Sequence, residues 1–499
     1  MEAYRQLTRR LSDLSAIEEA IGILQWDQEI VMPPGAAEAR ARQISTLAVV
    51  AHERLVDPVL AALLTSLTAD AELDATQKAN VREALRDHRR AARIPADLVR
   101  AWGEATVRGH EVWVAARKAA DFKAFQPTLQ LLVDLAKRRA AAIDPDKAAY
   151  DVLLDEFEPG MTMARLDPIF DELKAFLVPF LVQVRNVANL PDTSWLQTPV
   201  PAERQREAGE AIVRAMGYAF ERGRLDTAVH PFCGGAGATD VRITTRYNEN
   251  AFAGSLLAMI HETGHALYEQ GRDLDVADQP VSRPRSYGIH ESQSLLWEKQ
   301  IGQCEPFWRY HYPRLQVAYP FLATVTLPEF LFGLNLVDFN NFIRVDADEL
   351  TYPLHVILRY EIERDLFSGK LDVADLPAAW NAKIHEYLGI TPPDDRLGVL
   401  QDVHWSGGSF GYFPSYTLGA LYAAQFHRAA VRDVPAIPGD LAMGDAASLR
   451  GWLGEHIHRV GSRLLTDDLS QAATGEVLNP AYFIAYAREK YGRLYGLPA

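Results

Sequence analysis

The chain has 499 residues, 48% apolar and 23% charged, enough to bury one large core or two lobes around a cleft. Its 51 lysines and arginines against 66 aspartates and glutamates give a formal charge of -15, which argues against nucleic acid as the main partner, since phosphate binding wants a basic face. The two cysteines, Cys233 and Cys304, make no disulfide framework, and no apolar run approaches the roughly 18 residues of a membrane span. The opening stretch is charged from its second residue and lacks a signal-peptide core, so the expectation is a reduced, cytoplasmic protein with no membrane partner.

Helical periodicity runs along most of the chain. It predicts helices over 3–31 and 36–65, separated by the stop-and-turn run Met32-Pro33-Pro34-Gly35. Further helices are predicted over 75–93, 97–118, 123–142, 147–156, 165–188 and 202–220. The pattern changes at 225–247, where Asp240 to Tyr247 alternate β-branched and polar residues, the pattern of a short half-buried strand. Helices resume over 250–271, 287–304, 327–344 and 350–369; a glycine- and aromatic-rich stretch, 398–416, precedes helices at 417–431, 447–465 and 480–495. The fold class is mostly α, with a small strand-bearing insert and no internal repeat.

Within the helix predicted over 250–271, His261-Glu262-Thr263-Gly264-His265 fits the pattern H-E-x-x-H. Residues four apart lie on one helix face, so both imidazoles can reach a single metal, and Glu262 can approach a water on that metal as general base. A catalytic zinc wants a third protein ligand and one open position. The metzincin solution fails, because Tyr268 and Gly271 stand where glycine and histidine would be needed. Glu269 lies eight residues from His261, about 12 Å of helical rise, too far to share the ion. Glu291 begins the next helix, 26 residues after His265, and completes a His2Glu set. Taken alone it reads as a solvated helix-start carboxylate; after an H-E-x-x-H helix a ligand is the better reading.

Counting that motif, six stretches stand in order along the chain: His230-Pro231-Phe232, Asp240-Val241-Arg242-Ile243-Thr244, the H-E-x-x-H, His290-Glu291-Ser292-Gln293, Ile343-Arg344-Val345-Asp346-Ala347-Asp348 and Gly398-Val399-Leu400-Gln401-Asp402-Val403-His404-Trp405. With the opening Trp26-Asp27-Gln28-Glu29 and Met32-Pro33-Pro34-Gly35, they make the chain resemble the carboxypeptidase Taq family of thermostable zinc metallocarboxypeptidases, essentially end to end.

The resemblance implies a single catalytic domain over 1–499, with two helical lobes about a deep groove as in neurolysin and angiotensin-converting enzyme, and a small β-sheet near the active site. It implies a hydrolase that removes single C-terminal amino acids from peptides with broad specificity, disfavouring proline. It implies Zn2+, for which Co2+ substitutes, and a homodimer. Tyr416, 12 residues after His404, is the first choice for an electrophile on the oxyanion and Tyr412 the second. His230 and His404 are candidate donors to the scissile carbonyl or the substrate backbone. Arg344, then Arg242, are candidates to pair with the terminal carboxylate, and Asp348 to orient a ligand histidine. Two other readings remain at this stage: an oligopeptidase cutting short peptides internally, and a non-catalytic peptide-binding homologue.

Overall fold

The computed structural model describes residues 2–497. The N-terminal half is helical: α1 Glu2–Ile30, α2 Ala37–Leu55, α3 Pro58–Thr68, α4 Ala75–Ala92, α5 Ala96–Ala119, α6 Phe122–Ile143, α7 Ala149–Phe157, α8 Met163–Arg185 and α9 Ala202–Met216. Three short strands follow, β1 Leu225–Thr227, β2 Cys233–Gly235 and β3 Val241–Thr245. The remainder is helical again: α10 Phe252–Gln270, α11 Tyr287–Leu295, α12 Glu305–Ala318, α13 Leu327–Leu334, α14 Tyr352–Ser368, α15 Leu376–Leu388 and α16 Pro414–Asp433. Four shorter helices close the chain, α17 Ile437–Ala442, α18 Ala447–Leu453, α19 Thr466–Thr474 and α20 Ala481–Tyr495.

Local chemistry explains where these elements differ from the periodicity. The helix expected over 36–65 is two helices, because Asp57 caps α3 through Val59 N and Pro58 takes its first turn. The helix expected over 202–220 stops at Met216, where Gly217 adopts a left-handed conformation, φ +97°. That over 327–344 ends at Leu334, and the segment beyond it runs as loop to a 3-10 turn at Arg344–Asp346. Those over 287–304 and 447–465 pass into π turns at Leu296–Ile301 and Gly454–His458. Helices α12, α15, α17 and α19 carry no expectation from the sequence; the first two hold a proline in the first turn and a mixed apolar pattern that weakens the periodic signal.

The strand expected near 240–247 is β3, the centre of a three-stranded sheet. β1 pairs parallel to it, Leu225 opposite Ile243, and β2 antiparallel, Cys233 opposite Ile243. The sheet packs on α9 and α10 through Val213, Tyr218, Val241, Ile243, Met259 and Ala266. A large core runs from α5 to α20, and a separate small one joins α1, α3 and α4 through Leu7, Leu11, Leu60, Leu64 and Val81. Among the described residues no helix is long and apolar enough to cross a membrane, and both cysteines are free.

Candidate metal centre and cleft

α10 carries His261 and His265 one turn apart, with ring centroids 5.1 Å from each other. Ser286 caps α11 by accepting from Ile289 N, which starts that helix in time to present Glu291 to the histidines. The Glu291 carboxylate lies 3.3 Å from His265 Nε2 and 3.9 Å from His261 Nε2, and one ligand atom from each of the three falls within 4.8 Å of the others. A tetrahedral ion with bonds of about 2.1 Å sets its donors about 3.4 Å apart, so the three are close to that geometry.

Two glycines allow the approach. A Cβ at Gly264, inside the motif, would lie 2.6 Å from the backbone of Gln293 and Ser294 on α11. A Cβ at Gly419 of α16 would lie 2.6 Å from the Glu291 side chain. Glu291 is thus gripped between α10 and α16.

A further layer holds the imidazoles. His261 Nδ1 lies 2.8 Å from the Glu298 carboxylate, which also pairs with Lys299 at 2.6 Å. A carboxylate on the far nitrogen fixes tautomer and ring orientation. Asp348, expected in that role, is elsewhere: it accepts from Leu350 N, Thr351 N and the Thr351 hydroxyl and shapes the turn before α14. Its four-residue i, i+3 turn chemistry claims the carboxylate before any histidine can. Glu298 carries no role from the sequence; its place seven residues after Glu291, two turns on along the same helix face, was the available signal. His265 stacks on His290 at 4.5 Å, and His290 is held by Glu269 at 2.9 Å. Glu269, too far along α10 to be a ligand, serves this second pair.

The donor chemistry fits a divalent cation: two imidazole nitrogens and a carboxylate converge, with Glu262 and Glu298 adding two more carboxylates to a part-buried pocket. Burial lifts Glu262 to about 7, with His261 pulling it down and Glu291 and Glu298 pushing it up. Burial and then the neighbouring His290 lower His265 to about 4, which keeps it a neutral donor. His261 goes the other way, to about 9: burial opposes its charge, but Glu298, Glu291 and Glu262 outweigh it. A dication would take over the role of that proton, because its charge satisfies the same carboxylates.

The triad opens into a cleft of about 1230 Å3, whose lining includes Glu262, Tyr412, Tyr416, Arg344, His230 and Arg246. His404 does not line it. It sits behind Tyr416, its Nε2 3.1 Å from the Tyr416 hydroxyl, so its reach to a substrate is through that tyrosine. Burial pushes His404 down to about 3 and keeps it neutral. Tyr412 packs edge-on against Tyr416 at 5.2 Å. Arg344 is 4% exposed; its guanidinium pairs with Asp402 at 3.0 Å and lies over the Tyr416 ring, 4.5 Å from its centroid. Arg359 pairs with the same carboxylate at 2.6 Å, so two arginines share one negative charge. His230 is exposed at the cleft wall. Arg242 is not brought to the cleft: it forks onto Asp240, two residues back and just before its strand, at 2.7 and 2.6 Å.

Residues 6–491 match the family described as carboxypeptidase Taq (M32) metallopeptidase. The chain is 40% identical over 500 residues to carboxypeptidase 1 of Bacillus subtilis, covering 99% of this chain and 98% of that protein. It is 39% identical over 508 residues to thermostable carboxypeptidase 1 of Thermus thermophilus, covering 99% of each. Its backbone superposes on the crystal structure of an M32 carboxypeptidase from Deinococcus radiodurans with a TM-score of 0.97 at 40% identity, over 99% of this chain and all of that one.

Proposed function

The chain belongs to the carboxypeptidase Taq (M32) metallopeptidase family, and on that premise we propose that it is a zinc carboxypeptidase releasing one C-terminal residue at a time from peptides. The observation that carries this reading is the convergence of His261, His265 and Glu291 beside a buried Glu262 in one cleft. Family membership implies a divalent metal; zinc, with cobalt as substitute, suits two imidazoles and one carboxylate. We take residues 1–499 as one catalytic domain whose helical lobes flank the cleft, in the manner of neurolysin and angiotensin-converting enzyme. A cytoplasmic homodimer with broad specificity and poor tolerance of proline completes the reading.

When bound, the zinc ion supplies Lewis-acid polarisation of the scissile carbonyl and acidifies the attacking water. Glu262 accepts the proton of that water and returns it to the leaving amine. Tyr416 donates its hydroxyl proton to the developing oxyanion. His404 prepares it: His404 Nδ1 is buried without a partner, and an orphaned acceptor costs less than an orphaned N–H, so the proton belongs on Nε2. His404 then donates to the tyrosine oxygen and leaves the phenolic proton for the substrate. His230 meets the peptide backbone at the cleft wall. Arg344, sharing Asp402 with Arg359, brings uncompensated positive charge to the terminal carboxylate.

The test is a pair of peptides, one with a free C-terminal carboxylate and one amidated. The free acid is expected to lose single residues from its end, read by mass. Amidation should lower kcat/KM about 30-fold or more, the loss of one charge-assisted, part-buried interaction. In Arg344→Ala amidation should change little further. Internal cuts unaffected by amidation would select an oligopeptidase, and uncut peptide with metal-loaded protein a binding homologue.

A further inference from the structure

A concentration of positive charge in this acidic chain lies away from the cleft, on α4 and the residue that follows it. Lys78, Arg82, Arg86, Arg89 and Arg93 follow one another at intervals of four, four, three and four, a single stripe down the helix. The stripe forms one wall of a cavity of about 530 Å3. Arg90 and Lys147 join it, so that seven cations face the space against two carboxylates, Asp144 and Asp155. Leu67, Val81, Leu85, Ile143 and Val152 supply an apolar floor.

Like charges at this spacing destabilise a helix, so the arrangement calls for a compensating group. The acids of α4 provide it only in part, because each is shared with an arginine on the opposite face. Glu83 takes Arg285 at 2.9 and 3.0 Å and Arg82 at 2.7 Å, and Asp87 takes Arg283 at 3.0 Å and Arg86 at 3.7 Å. Asn80, fully buried, holds Gln279 and Val281 N on that same face. Within the cavity Asp155 is shared by Arg86 and Arg90, at 3.3 and 3.0 Å, and Asp144 takes Lys147 at 3.4 Å. Among the described residues, Lys78 and Arg89 are exposed and have no carboxylate, and Arg93 donates only to the Ile143 carbonyl.

We propose that this cavity, walled by the arginine stripe of α4 and floored by Leu85, Ile143 and Val152, binds a small organic phosphate: a phosphomonoester on an apolar or aromatic body. Guanidinium forks match phosphate oxygens two at a time. The volume lies within the roughly 300–1,000 Å3 of small-ligand sites, too confined for a folded partner. The buried anchoring of the other face of α4 holds the stripe in place before any ligand arrives, which reduces the ordering that binding requires. The site stands independently of the peptidase reading.

The probe is adenosine 5′-monophosphate, titrated calorimetrically into the metal-loaded full chain, with inorganic phosphate and adenosine as comparisons. The nucleotide is expected to bind about tenfold or more tightly than either part alone, and to weaken as salt is raised. Arg89→Glu combined with Lys78→Glu, both exposed positions outside the cleft, should weaken it at least tenfold while kcat/KM on a peptide stays unchanged. If that double variant melts early, Arg89→Ala alone carries the test through a smaller loss of affinity. Failure of the nucleotide to bind at millimolar concentration overturns the proposal. So does equal affinity in the variants, or binding by inorganic phosphate as tight as by the nucleotide, which would show that the apolar floor contributes nothing.

Discussion

At the scale of single residues, the ligand histidines were legible because their chemistry needs a fixed spacing on one helix. His261 and His265 are separated by one turn, and Glu262 can only follow the first of them. Glu291 was legible as a carboxylate opening the next helix. Glu298 was not assigned a role, since a carboxylate two turns further on looks like any helix-surface acid until the π turn Leu296–Ile301 places it on His261. His404 and Arg344 were legible as polar residues in motifs, but not that the first acts through Tyr416 and that the second shares its charge partner. Periodicity says which face a side chain leaves from and nothing about what it meets. The roles proposed for Glu298 and Glu262 separate in two variants. Glu298→Ala should weaken metal retention or activity about 10- to 100-fold, because His261 loses the group that orients it. Glu262→Gln should hold metal as the wild type does, yet lose most of its kcat, because the proton acceptor is gone. Metal content by atomic absorption after dialysis, set beside kcat, checks the division. Equal metal loss in both variants would refute it.

Elements position the site through close approach, and here the informative residues are the smallest ones. α10 and α11 come together because Gly264 has no side chain to hold them apart, and α16 closes on Glu291 because residue 419 is glycine. Neither was visible as a packing residue in the sequence, where a glycine inside a helix reads as a weak point. Boundary differences have similarly local causes: Pro58 after a capping aspartate, left-handed Gly217, and two π turns that periodicity cannot register. Gly419→Ala would put its Cβ 2.6 Å from the Glu291 side chain, so α16 or the carboxylate must move. Overpacking of this kind costs about 1–3 kcal/mol. The expected outcome is weaker metal binding together with a lower melting temperature, measured by competition with a chelator and by calorimetry. Gly439→Ala, in α17 where a Cβ meets nothing within 4 Å, is the control and should weaken neither metal binding nor thermal stability. Unchanged metal affinity in Gly419→Ala would show that α16 does not set the position of Glu291.

Across the whole molecule, the large core is stitched by buried ionisable groups whose titration ties stability to pH. Glu363 of α14, fully buried, accepts from the Tyr150 hydroxyl of α7, from Trp405 Nε1 and from Gly411 N, joining three distant parts of the chain. Burial lifts it to about 7 despite those donors. Glu158, which accepts from Gly288 N at the start of α11, is lifted by burial to about 7 as well. An unfolded glutamate titrates near ~4.3, so between that pH and about 7 the folded chain keeps protons that the unfolded chain has released. Their contribution is therefore fully present in acid and is lost as pH rises through the folded values. Asp402 has the opposite sign: burial opposes its charge, but Arg359 and Arg344 hold it well below the usual carboxylate range, and its contribution is lost only as pH falls below that range. Stability is expected to decline from about pH 5 to pH 8 through the two glutamates, with a separate loss in strong acid through Asp402. Glu363→Gln keeps an oxygen for Tyr150 and Gly411 N, sets its amide NH2 against Trp405 Nε1 at a cost that does not vary with pH, and removes the titrating proton. The difference in unfolding free energy between pH 5 and pH 8 should then shrink by about 2 kcal/mol relative to wild type. Metal binding varies with pH in both proteins alike and cancels from that comparison. Urea unfolding at the two pH values is the measurement, and an identical pH dependence in Glu363→Gln would mean that this carboxyl is ionised in the folded chain at pH 5.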